Sequence, residues 1–183
     1  MASAPTHVVA TAAVAAFFYR PQVPWHLWFA GAVLAVAPDL DVIGFHLGVP
    51  YGHLLGHRGL SHSPVVAVAA GGLVAFLGYR HGAGPLTATR VWLFLFLATT
   101  AHGVLDAFTN GGLGVAFLAP LSAERYFFPF RPLEVSPLSL RRFMAPVGMR
   151  ILANEILWVW LPALVGGAAV LWYRARARAT RAA

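Results

Sequence analysis

Apolar positions in this chain gather into blocks instead of alternating with polar ones. Five blocks stand out: His7–Tyr19, which ends at Arg20-Pro21; Trp25–Ala37, which stops at Pro38-Asp39; Pro64–Tyr79; Val91–Phe108; and Ile156–Tyr173. Continuous apolar runs approaching the roughly 20 residues that cross a bilayer read as transmembrane helices. The first is short by that measure unless Met1–Thr6 extend it. Trp25 and Trp28 suit a headgroup-level anchor for the second. The pattern predicts an all-α polytopic membrane protein with about five transmembrane helices, since a helix satisfies its own backbone in lipid.

The interval Thr109–Asn154 breaks the pattern. It is rich in Gly, Pro, Arg and Phe, as in Asn110-Gly111-Gly112 and Phe127-Phe128-Pro129-Phe130-Arg131-Pro132. Pro removes backbone donors and breaks helices, so this interval reads as an interfacial or re-entrant lid. A basic tail, 174–183, follows the fifth block. Neither an internal repeat nor an interdomain linker is apparent, and residues 1–183 read as one integral membrane domain.

Composition agrees. Of 183 residues, 59% are hydrophobic and 10% charged, against about 25% charged in soluble domains. Such a chain cannot clothe a soluble surface, so the bilayer is its expected partner. The net charge of +7 does not point to nucleic acid, because the Arg residues are scattered or lie in loops. Cysteine is absent, which excludes disulfides and thiolate metal sites. The first basic residue, Arg20, follows the first block, unlike a cleavable signal with its positive leading region. Arg174, Arg176, Arg178 and Arg181 directly after a span favour a cytoplasmic C-terminus and an extracytoplasmic opposite face.

The candidate chemistry is confined to a few residues. All three Asp fall in two motifs, Pro38-Asp39-Leu40-Asp41 at the exit of the second block and His102-x-x-x-Asp106 near the end of the fourth. His57-Arg58-Gly59-Leu60-Ser61-His62-Ser63 precedes the third block, and His7 opens the first. With alternating spans, all these positions share one membrane face. His102 and Asp106, four apart, lie on one side of a helix. Asp39 and Asp41, two apart, both reach one site if the backbone there is extended. Imidazole with carboxylate suits Zn²⁺, with Mn²⁺ or Fe as alternatives. Six candidate ligands, His7, Asp39, His57, His62, His102 and Asp106, suffice for one or two ions. Asp41 then falls to orienting a ligand His or accepting a proton, and Arg58 to stabilising developing negative charge.

Each residue also has a plainer reading. Asp41 could snorkel to water, and His7 could be a terminal interfacial residue. Ser63-Pro64 reads as a helix N-cap. Glu155 reads as a first-turn acid of the fifth span, while Glu124-Arg125 and Arg131 with Glu134 could be loop ion pairs.

From Thr6-His7 through Pro38-Asp39-Leu40-Asp41, His57-Arg58-Gly59-x-x-His62-Ser63 and His102-x-x-x-Asp106 to Thr109, the sequence resembles the YdjM-like inner-membrane proteins, described as LexA-regulated, membrane-bound, metal-dependent hydrolases. The resemblance spans roughly Thr6 to Pro137. It implies a helical protein of the inner membrane with a bound metal and hydrolase activity. The order of ligands is also loosely similar to that of zinc-dependent phospholipase C.

These readings converge on a membrane-bound hydrolase acting on an ester or phosphoester of a lipid-like or other small-molecule substrate. The alternatives are a structural or regulatory metal-binding membrane protein, and a metal or ion transporter. A transporter needs polar residues near the bilayer midplane, and the third and fifth blocks have none.

Overall fold

The computed structural model describes residues 1–182, so the final residue of the basic tail, Ala183, lies outside it. Its regular structure is helical: α1 (Ala4–Phe18), α2 (Trp25–Val36), α3 (Ile43–His46), α4 (Pro64–Tyr79), α5 (Ala88–Ala107), α6 (Leu140–Phe143), α7 (Pro146–Glu155) and α8 (Leu161–Ala182). A 3-10 segment, Ala37–Val42, joins α2 to α3, and a π segment, Ile156–Trp160, joins α7 to α8. Among the described residues, three helical stretches are long and apolar enough to cross a membrane: Trp25–His46, Ala88–Ala107 and Pro146–Thr180; α1 and α4 are apolar but shorter.

Local chemistry sets several helix ends. Ser63 Oγ accepts from the Val66 amide at 3.3 Å with Pro64 in the first turn, as a Ser-Pro start requires. Thr87 caps α5 by accepting from the Arg90 amide. Between α4 and α5 the chain reverses in a tight turn closed by Ala83 and Leu86, which makes the two helices antiparallel neighbours. Helix α5 is central: it packs on α4, α2 and α1, and α1 in turn packs on α8. At the α4–α5 turn end, Leu27, Tyr79, Leu86, Val91, Phe94 and Leu95 form an apolar core. Gly31 lets α2 approach α5, because a Cβ there would lie 2.5 Å from Phe94 Cζ.

Three sequence expectations are corrected. The α-helix ends at Val36, just before Pro38-Asp39, but the chain continues as a 3-10 turn carrying Asp39 and Asp41, so the pair is helical and not extended. The last helix starts ten residues earlier than the apolar block, at Pro146 and not Ile156. Glu155 is therefore internal to a continuous helix and not at its first turn. Its buried carboxylate accepts from the Ser3 amide at 2.6 Å, from Thr6 Oγ1 at 2.8 Å and from the Ser3 hydroxyl. It thereby takes up the N-cap amide of α1 and two hydroxyls of that first turn from another helix. Trp160, in the π segment, donates to Thr6 Oγ1 at 2.7 Å, which fastens the last helix to the first.

The 109–154 interval is held by side chains reaching across it. Arg125 donates to the carbonyls of His57, Tyr51 and His53 and does not pair with Glu124. Glu134 pairs with Arg150, while Arg131 stacks over Phe127.

Candidate metal centre

Four segments converge at the end of the bundle away from the apolar core. The start of α1 supplies His7, the 3-10 turn after α2 supplies Asp39 and Asp41, the loop before α4 supplies His57, Arg58 and His62, and the end of α5 supplies His102 and Asp106. His7, Asp39, His57, Arg58, His62, His102 and Asp106 are all buried. Gly103 makes the approach possible: a Cβ there would sit 2.8 Å from the His62 carbonyl oxygen.

Asp39, His62, His102 and Asp106 each bring one donor atom into a group whose members lie within 4.8 Å of one another. His102 Nε2 is 3.0 Å from His62 Nε2 and 3.3 Å from Asp39 Oδ1. His62 Nε2 is 3.7 Å from Asp39 Oδ1 and 3.6 Å from Asp106 Oδ2. Tetrahedral coordination with bonds of about 2.1 Å separates donor atoms by about 3.4 Å, so this group can hold a metal ion.

The tautomers point the same way. His102 Nδ1 is 2.7 Å from the Ala35 carbonyl, which only accepts, so Nδ1 carries the proton and Nε2 presents a lone pair. Ser61 donates to Asp41 Oδ2 at 2.5 Å and is 3.0 Å from His62 Nδ1. Nδ1 of His62 also lies 3.2 Å from Asp41 Oδ2, so a neutral His62 ring keeps its proton on that side and leaves Nε2 free for a metal. Two lone pairs facing each other at 3.0 Å repel unless a proton or a cation lies between them. Among the described residues, both Asp39 oxygens and both His7 nitrogens are buried without a hydrogen bond, which is costly for polar groups unless a ligand engages them. A metal fits this donor set.

Burial alone would lower the basicity of His62. The Asp39 and Asp41 carboxylates beside it, with Asp106, outweigh burial and push its pKa up to about 9.

The remaining site residues surround this group. His7 stacks on His102 with ring centroids 3.7 Å apart, and its Nε2 lies 3.7 Å from Asp106 Oδ1. His57 stands outside the group of four. Its Nδ1 donates to Asp41 Oδ1 at 2.6 Å, and its buried Nε2 is unpaired. Asp41, His57 and His62 form a second group of close donors, but their facing atoms are already linked by the hydrogen bonds described. Arg58 has a left-handed backbone (φ 62°), uncommon outside glycine. Its amide donates to Asp41 Oδ2 at 3.1 Å and its carbonyl accepts from Ala116. Its guanidinium meets Asp106 Oδ2 at 2.9 Å and donates to Thr109 Oγ1 and the Gly111 carbonyl.

Ala2 and Glu155 were not legible as site neighbours in the sequence. The Ala2 amide donates to Asp106 Oδ1 at 2.7 Å, and Glu155 holds the adjacent Ser3. A main-chain donor has no side-chain signature, and a lone Glu in a helix has too many other uses.

Apolar helices of spanning length around a buried His/Asp cluster define a helical membrane protein with a potential metal centre. Residues 1–179 match the family described as YdjM inner membrane protein, and the chain belongs to that family. It is 43% identical over 156 residues to inner membrane protein YbcI of Escherichia coli (strain K12), covering 84% of this chain and 87% of that protein. No solved structure matches it. The protein is an inner membrane protein.

Proposed function

We propose that this protein is a membrane-embedded metal-dependent hydrolase with one divalent ion, most compatible with Zn²⁺, held by Asp39, His62, His102 and Asp106. The facing Nε2 atoms of His62 and His102, 3.0 Å apart with both Nδ1 protons turned away, carry this reading. His7 supplies a fifth donor, next to Asp106. A metal held by these residues would supply Lewis-acid chemistry suited to hydrolysis of an ester or phosphoester.

The chain's own groups divide the remaining work. Asp41 orients His57 through Oδ1 and His62 through Oδ2. Arg58 holds Asp106 in position through its Nε, and its charge offsets that of the buried carboxylate. Five helices cross the membrane: α1, α2–α3, α4, α5 and α8. The 109–154 interval covers the site at the interface, where a lipid-like substrate would enter. The Arg-rich stretch directly after the last span, with Arg174, Arg176 and Arg178, favours a cytoplasmic tail and an extracytoplasmic metal centre.

A second reading, a structural metal centre without turnover, is favoured by burial: none of the four ligands exceeds 8% side-chain exposure. Metal analysis of the detergent-purified protein tests the site. About one equivalent of bound metal, lost in His102→Ala/Asp106→Ala, is expected; a folded wild type that takes up none after reloading refutes both readings. Metal-dependent release of product from phospholipid or ester substrates then separates the hydrolase from the structural centre.

A further inference from the structure

The helix Pro146–Thr180 has 35 residues and a length of about 52 Å, against a hydrocarbon core of about 30 Å. Its apolar part and its Arg-rich end account for the core and one headgroup layer. Helix α7 therefore lies in the headgroup layer on the side of the metal centre. There α6 and α7 display apolar side chains, with Leu140, Met144 and Met149 each more than 70% exposed. Beside them a hollow of about 370 Å³ is lined by Asn110, Glu134, Ser136, Arg142 and Arg150 among others. Glu134 engages one edge of Arg150 at 2.9 Å. Among the described residues, the exposed Arg142 side chain has no carboxylate partner. The hollow carries one net positive charge, and Arg141 stands next in the chain.

We propose that this hollow binds the phosphate of an anionic phospholipid headgroup, with Arg142 and Arg150 as donors and the exposed leucine and methionines seated among the acyl chains. Guanidinium groups match phosphate in charge and fork geometry. The apolar rim commits the site to a lipid, because a free phosphate gains nothing from it. The hollow's wall stands directly behind the metal centre: the Ser136 amide donates to the Met1 carbonyl at 2.9 Å, and the next residue, Ala2, donates to Asp106. The inference does not rest on turnover or on metal occupancy.

Full-length protein in detergent, given phosphatidylglycerol or phosphatidylcholine and examined by native mass spectrometry, tests it. The wild type should retain phosphatidylglycerol preferentially. Arg142→Glu/Arg150→Glu should reduce that retention by at least about tenfold, from loss of charge-assisted hydrogen bonds. Arg178→Glu, on the opposite tail, should leave it unchanged. Arg142→Gln alone, at an exposed position, covers the case in which the double variant loses helicity, and should also weaken retention. Equal retention by wild type and Arg142→Gln overturns the proposal, as does an equal loss in Arg178→Glu. Displacement of the lipid by an equal concentration of inorganic phosphate would assign the hollow to free phosphate and overturn the lipid assignment.

Discussion

Asp41→Asn tests the support of the metal centre more sharply than removal of a ligand. The Asp41 carboxylate takes four contacts: His57 Nδ1 at 2.6 Å, Ser61 Oγ at 2.5 Å, the Arg58 amide at 3.1 Å and His62 Nδ1 at 3.2 Å. Asparagine offers one oxygen and one NH₂ group. With its oxygen on the side of Ser61, Arg58 and His62, its amide opposes the His57 Nδ1 proton, and the bonds that remain lose their charge assistance. Hydrogen bonds to charged groups contribute about 1.5–3 kcal/mol each. Residues that orient metal-bound histidines typically change affinity 10–100-fold, about 1.4–2.7 kcal/mol. A competition titration against a chromophoric chelator, on protein of wild-type helicity, should show a loss in that range. Ser61→Ala, which removes a single bridging hydroxyl, should cost less than about tenfold. If Asp41→Asn lowers the melting temperature but leaves metal affinity unchanged, Asp41 only braces the fold and the proposed orienting role is refuted.

Three further outcomes follow from the same geometry. The His62 pKa rises on folding from about 6.5 to about 9, so the protonated ring stabilises the metal-free fold fully below about pH 6.5 and that contribution is gone above about pH 9. A metal must displace this proton, so apparent affinity should climb by up to about tenfold per pH unit across that window; a flat profile in a buffered titration would contradict it. Arg58→Met leaves the fully buried Asp106 without its guanidinium partner and should cost about 3–5 kcal/mol in the metal-free protein, with added metal recovering part of the loss in thermal denaturation. Glu155→Ala strips acceptors from Ser3 and Thr6 and should destabilise by about 2–4 kcal/mol, loosening α1 from α8; protection of the first turn in hydrogen exchange should fall, and unchanged protection would show that the clamp carries no load.

Much of this protein was legible in its sequence because lipid imposes a strong rule. Long apolar runs have few other uses, so the blocks at Trp25, Pro64 and Val91 map closely onto helices, and the alternation expected of spanning helices puts His7, Asp39, His62, His102 and Asp106 at one end, where the fold brings them together. The His102–Asp106 spacing fixed their shared face for the same local reason. Three-dimensional packing decided the rest. Asp39 and Asp41 sit on a 3-10 turn, where a two-residue spacing separates their directions, so one faces His102 while the other faces His57. Arg58 carries a charge that sequence reasoning sent to a substrate; in the fold its guanidinium is spent on Asp106, Thr109 and Gly111. Glu155 could not be placed from its neighbours, because its partners, Ser3 and Thr6, are about 150 residues away. Hydropathy and helical period are local and survive in one dimension, whereas the direction of a buried polar side chain depends on which distant donor satisfies it, and only the assembled helices determine that.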